Sequence, residues 1–183
     1  MCCGVHANSY RVLQSVRIIL PDGTLLDTGD KKSRAAFTMS HPQFLKKIEE
    51  LRDKTRKNAT LCDLIRKKYS IKNVTGLTIL PFVEYDDPFD IILHLVVGSE
   101  GTLGFMSEVT MLTERDYEYK ASAMLYFSTI DEACRAVVAM RPLCDKKGER
   151  IVHSAELLDS KSLASVNDPT GEGLTAVLTE TKA

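Results

Sequence analysis

The first clear pattern in the chain is an alternation. Over residues 12–20, Val16, Ile18 and Leu20 fall on one side and Ser15, Arg17 and Ile19 on the other, the period of a strand with one face on a core. Pro21-Asp22-Gly23 is turn chemistry, so residues 24–27 are predicted to return as the second strand of a hairpin. A polar loop is expected over 28–33. Ser40-His41-Pro42-Gln43 has capping-box spacing with proline in the first turn, which predicts a helix opening at Ser40. Phe44, Leu45, Ile48 and Leu51 recur on one face of that helix. A second helix is predicted over 61–69, followed by a loop through Asn73, Thr75 and Gly76. The apolar run 89–97 follows the Asp86-Asp87-Pro88 turn and reads as one or two helical turns with Asp90 as N-cap.

From Leu103 the pattern becomes alternating again. Leu103, Phe105, Val109 and Met111 face one way, and Glu108 and Thr110 the other. A polar break follows, and a domain boundary is expected within 116–120, giving domains 1–118 and 119–183. The second part reads strand (121–127), helix, strand (150–155), helix (156–166). Its first helix opens on the capping box Thr129-Ile130-Asp131-Glu132, with Ala133, Ala136, Val137 and Met140 on the inner face. The polar tail after Asn167 is expected to fray. That would leave the strands of this part short of partners, since a lone β-α-β unit cannot complete a sheet. The fold class is α+β, mainly antiparallel sheet with flanking helices, and the open sheet edges suggest self-association.

Composition narrows the function. The 183 residues carry 24 Lys and Arg against 25 Asp and Glu. The near balance offers no electrostatic case for nucleic acid or an anionic membrane. Runs such as Lys46-Lys47 and Arg66-Lys67-Lys68 read as solvated faces. No apolar run approaches the ~20 residues of a transmembrane span. The five cysteines are odd in number and lack any C-x-x-C, which suits a reducing, cytoplasmic setting and argues against a metal or iron–sulfur site. His6, His41, His94 and His153 are scattered without ligand spacing, and Tyr69, Tyr85 and Tyr126 read as packing. No catalytic residue is assigned.

The chemistry-bearing stretch is residues 97–110, where Gly98, Gly101 and Gly104 recur at spacings of three between the apolar run and the alternating strand. Such a cluster marks positive φ or close approach of backbone to a ligand, and successive amides in it can cradle anionic oxygens. From spacing alone, a tight strand entry without any ligand is the better reading. The pattern is neither G-x-G-x-x-G nor a P-loop, and no Gly-Lys-Ser/Thr occurs.

Three segments together resemble the FAD-binding domain of the vanillyl-alcohol oxidase / p-cresol methylhydroxylase type of flavoprotein, in its D-2-hydroxy-acid (D-lactate/2-hydroxyglutarate) dehydrogenase branch. They are Val16-Arg17-Ile18-Ile19-Leu20-Pro21-Asp22-Gly23-Thr24-Leu25-Leu26-Asp27, then Lys72-Asn73-Val74-Thr75-Gly76, and Gly98-Ser99-Glu100-Gly101-Thr102-Leu103-Gly104-Phe105-Met106-Ser107-Glu108-Val109-Thr110. Met1-Cys2-Cys3-Gly4 with Tyr69-Ser70-Ile71-Lys72-Asn73 is similar to the large bacterial flavin and iron–sulfur members. The resemblance implies that backbone amides of Gly98, Ser99, Glu100, Gly101 and Thr102, and of Gly104, Phe105 and Met106, contact FAD. Asn73, Thr75 and Gly76 would form a second wall, and Glu100 would brace the loop by accepting backbone N–H bonds. It further implies a fragment: the second FAD subdomain and the start of a substrate cap, inactive alone, from a parent that oxidises a D-2-hydroxy acid to a 2-oxo acid. The alternative from a different class is a cofactor-free α+β module acting in protein association.

Overall fold

The computed structural model describes residues 8–73, 76–113, 116–166 and 173–182. Within them the order is α1 (Ser9–Val12), β1 (Leu13–Ile19), β2 (Leu25–Asp27), α2 (Lys31–Ser40), α3 (Pro42–Arg56), α4 (Ala59–Tyr69), α5 (Pro81–Glu84), α6 (Pro88–Leu95) and β3 (Phe105–Met111). There follow β4 (Lys120–Phe127), α7 (Ile130–Met140), β5 (Val152–Leu158), α8 (Ser160–Ser165) and β6 (Thr175–Lys182). The fold is α+β, with two antiparallel three-stranded sheets, ordered β2-β1-β3 and β4-β6-β5. The described residues up to Thr113 form one compact unit and those beyond it a second. No described helix is long and apolar enough to cross a membrane.

In the first unit the hairpin forms as its pattern requires, with Ile18 opposite Leu26 and Arg17 opposite Asp27. Val16, Ile18 and Leu26 point inward and are almost fully buried, under a layer built from Phe37 of α2, Leu45 and Ile48 of α3, and Phe89, Ile91 and Ile92 of α6. Each such side chain contributes roughly 1.5–3 kcal/mol by leaving water. On the outer face Arg17 pairs with Asp27 at 3.1 Å and with Glu108 at 2.8 Å, crossing all three strands.

Several local expectations are corrected. The polar loop expected over 28–33 instead opens α2, because both carboxylate oxygens of Asp30 accept the amides of Lys32 and Ser33. Only Phe37 of α2 is buried, too little periodicity to read. Ser40 therefore ends a helix rather than capping one: its hydroxyl donates to the carbonyls of Ala36 and Phe37. The N-cap of α3 is His41, which makes no side-chain capping bond, and Pro42 at the first position opens the helix. Asp87, not Asp90, caps α6, accepting the amide of Phe89 at 2.8 Å.

His41 ties the hairpin to the helices. Its ring stacks on Phe37 at 4.5 Å, and its Nε2 lies 2.9 Å from an Asp22 carboxylate oxygen in the hairpin turn.

In the second unit the tail is the largest correction. Residues 175–182 form β6, the central strand, paired antiparallel with both β4 and β5; Val177 lies between Leu125 and Leu157. Ala176 and Val177 are completely buried. The strands of this part therefore do find a partner within the chain. The stretch 156–158 continues β5 rather than starting a helix, and α8 begins only at Ser160, capped by Asp159. The helix over Ile130–Met140 is capped by Thr129 as expected, with Ala133 fully buried.

Two predictions follow from this packing. Val177→Asp places an unpaired charge in the middle of the second sheet, and hydrogen exchange should report loss of protection throughout β4 and β5; retained protection would contradict a central β6. Asp22 is held down to about 2, first by its hydrogen bond from His41 and then by the Thr24 amide. A depressed carboxylate stabilises the native state above its ordinary value near 3.8, and that contribution disappears as pH falls through about 2. In acid unfolding, Asp22→Asn should flatten this part of the stability–pH curve, whereas an unchanged slope would remove the His41–Asp22 link.

Candidate functional site

The glycine loop begins where α6 stops. α6 is apolar nearly all round, with Phe89, Ile91, Ile92, Leu93 and His94 buried, and it packs on β1. Its end is therefore fixed, and the chain must reverse within a few residues to reach β3. It does so through left-handed backbone at Gly98 (φ 79°), Glu100 (φ 49°) and Gly101 (φ 79°). The Ser99 amide donates to the Val96 carbonyl at 3.2 Å, and the Thr102 amide and hydroxyl both donate to the Ser99 carbonyl, at 2.9 and 2.6 Å. Two of the amides expected at a ligand are thus used to close the loop.

Gly98 meets the second predicted segment. A Cβ on Gly98 would stand 3.0 Å from the carbonyl oxygen of Gly76, itself left-handed at φ 68°. Gly76 and the loop 98–102, separate in the sequence, converge at that contact. Asn73 is half-buried; Thr75 lies outside the described residues, as do Met1–Gly4. Gly98, Gly101 and Thr102 are exposed. Ser99 is 3% exposed, and its hydroxyl oxygen has no hydrogen-bond partner among the described residues. A buried hydroxyl without a partner costs free energy unless something satisfies it.

The remaining predicted residues divide by position. Gly104 is needed by the protein itself: a Cβ there would lie 2.8 Å from both the Ile18 side chain and the Ile19 carbonyl oxygen. Glu100 is exposed, and no brace from its carboxylate to the loop amides is found among the described residues. Phe105 and Met106 start β3 opposite Ile19 and Ile18 and are 68% and 41% exposed. The alternation in β3 predicts one buried face, yet every residue of the strand is exposed. The helices of this unit lie over β1 and β2, with α6 on β1 and α2 on β2, and no described residue covers β3.

Sequence reasoning missed the cluster that anchors α6. His94 is buried, stacked on Tyr85 at 4.1 Å and against Tyr10 at 4.8 Å. Its Nδ1 lies 2.8 Å from the Asp90 carbonyl oxygen, which must accept, so Nε2 accepts from the Tyr85 hydroxyl at 3.0 Å. Burial pushes His94 below its ordinary value and so favours this neutral ring. Tyr10 donates to Glu84 at 2.9 Å, and Arg11 pairs bidentately with the same carboxylate. Burial, then the hydrogen bond to Glu84, pushes the Tyr10 hydroxyl far up. Tyr10 and His94 stand 84 positions apart in the sequence, and no local pattern links them. Among the described residues no group of His, Cys, Asp and Glu could hold a metal.

No family model matches the chain. It is 30% identical over 84 residues to the Arabidopsis thaliana protein "D-lactate dehydrogenase [cytochrome], mitochondrial". The match takes in 46% of this chain and 14% of that protein. The chain therefore spans a small part of the relative it matches, and the similarity supports a D-lactate dehydrogenase-like relationship.

The two loop glycines should respond differently to a methyl group. Gly104→Ala drives a Cβ into backbone, an overpacking that costs about 1–3 kcal/mol and should lower exchange protection along β1 and β3. Gly101→Ala meets no atom within 4 Å and carries only left-handed strain, roughly 1–2 kcal/mol, with the β1–β3 ladder intact. Equal effects on the ladder would contradict this division.

Proposed function

We propose that the chain is part of an FAD-linked oxidoreductase of the D-2-hydroxy-acid dehydrogenase type. The observation that carries this reading is the meeting of Gly98 with Gly76, with the next residue, Ser99, burying a hydroxyl that lacks a partner among the described residues. The similarity to a D-lactate dehydrogenase supports the same class. Residues up to Thr113 would be the second FAD-binding subdomain, and the unit beyond them the start of a substrate cap.

The residues present fit such a group in kind. Gly98 and Gly101 offer backbone without a Cβ, and Ser99 offers a donor already desolvated. Glu100 points no obligatory charge into the loop, since its side chain is exposed. Bound FAD would supply the acceptor for a hydride from C2 of a D-2-hydroxy acid, leaving the 2-oxo acid. The work of this chain is then positioning: α6 holds the loop at a fixed height, Gly104 seats it on β1, and Phe105 and Met106 present apolar surface beside it. No residue of the chain is given an acid–base role, and the fragment alone is expected to be inactive.

The second reading, a cofactor-free association module, has one observation in its favour: β3 is exposed along its whole length at a sheet edge. Visible absorbance separates the two. After incubation with excess FAD and desalting, the chain should keep oxidised-flavin bands. Ser99→Ala should weaken retention roughly fivefold, the equivalent of one hydrogen bond of ~1 kcal/mol, while leaving thermal stability unchanged or raised. A folded, colourless chain that self-associates would favour the second reading.

A further inference from the structure

The near-zero net charge of the chain conceals a local excess. Residues 42–72, the α3–α4 hairpin and its exit, hold ten Lys and Arg against four Asp and Glu. Part of this charge is neutralised: Arg52 and Arg56 are drawn to Asp53 and Asp86, Lys46 lies near Glu50, and Arg66 near Asp63. Lys67 and Lys68 on α4 form no ion pair among the described residues, and both are exposed.

They share the face of α4 opposite its core. Cys62 and Ile65 are the buried residues of that helix. Leu64, Lys67 and Lys68 follow at i, i+3 and i+4, on the other side, and Ile71 lies just past the end of the helix. Leu64 is 59% and Ile71 70% exposed, so two large aliphatic side chains stand in water with lysines between them. On α3, Phe44 and Leu51 are 40% and 49% exposed, and Lys47 and Lys54 fall in the same helical row.

We infer that the outer face of α4 rests on an anionic lipid surface. Charge complementarity and residue type both select this occupant. Lysine is a flexible point charge whose alkyl stem lies along apolar surface while the ammonium reaches headgroup phosphates. Exposed aliphatics among such lysines match the pattern of an interfacial helix, apolar groups entering the acyl boundary and cations above them. A protein partner would favour Arg, Tyr and Trp at the contact, where Lys is depleted. A nucleic-acid strand would need aromatic platforms for the bases, and the outer face of α4 has none. The inference is independent of whether the Gly98 loop holds a cofactor.

The test is co-sedimentation of the full chain with vesicles of phosphatidylcholine alone and of phosphatidylcholine containing about 30 mol % phosphatidylserine. The chain should pellet with the anionic vesicles and stay in solution with the neutral ones, and raised salt should release it. Neutralising both lysines (K67Q with K68Q) should lower partitioning roughly 25-fold, near fivefold per charge at ~1 kcal/mol each. Leu64→Asn should weaken it further at constant charge. The pair K146Q with K147Q in the second unit should change little, and circular dichroism of each variant should match the parent. Equal pelleting with both vesicle types, no pelleting with either, or no response to the α4 lysine changes would overturn the inference. So would binding to heparin or single-stranded DNA without binding to anionic vesicles.

Discussion

Burial of α6 against β1 is the constraint from which the rest of the first unit follows. The helix contributes Phe89, Ile91, Ile92, Leu93 and Val96 to one core with Val16, Ile18 and Leu26 of the hairpin. Interiors packed at this density leave no freedom to shift the helix along its axis. The point at which the chain leaves α6 is therefore set, and so is the distance to β3. Left-handed backbone at Gly98, Glu100 and Gly101 is the consequence. The loop has its shape because the elements on either side of it cannot move.

Two kinds of glycine stand within one motif. Gly104 is explained fully by the protein, since β1 occupies the space its side chain would need. Gly101 is not, because nothing lies near it. Ser99 stands between these cases: enclosed by the fold, yet with a hydroxyl that the fold does not satisfy. A protein that buries a donor without a partner carries a cost, and a ligand bound at the loop would offset it. The bareness of β3 has the same character, with apolar side chains on both faces of a strand at the edge of the sheet.

The second unit depends on one strand. β6 joins β4 and β5 and packs against α7 and α8, with Ala176 and Val177 buried within it. In the sequence this segment is short and follows a polar, glycine-containing stretch, so its alternation is weak. Register with two neighbours, rather than its own pattern, makes it a strand.

Much was legible from the sequence by itself. Alternation in 12–20 and 121–127, the turn at Asp22-Gly23 and the cap at Thr129 each depend on residues close together, where backbone geometry imposes a fixed period; of the apolar face expected on α3, Leu45 and Ile48 are buried while Phe44 and Leu51 stay exposed. The same holds for the glycine motif at 98–104, whose existence as a special loop is visible in its composition. Other features were decided only by tertiary structure. Whether Asp30 or Ser40 caps a helix depends on where Phe37 is buried. Whether a tail frays or becomes a central strand depends on partners some fifty residues away. The contact of Gly76 with Gly98 and the tilted packing of Tyr10 against His94 likewise join residues that no local period connects. Local sequence set what each segment could be; long-range burial chose among the possibilities, because only the assembled core removes enough apolar surface from water to select one of them.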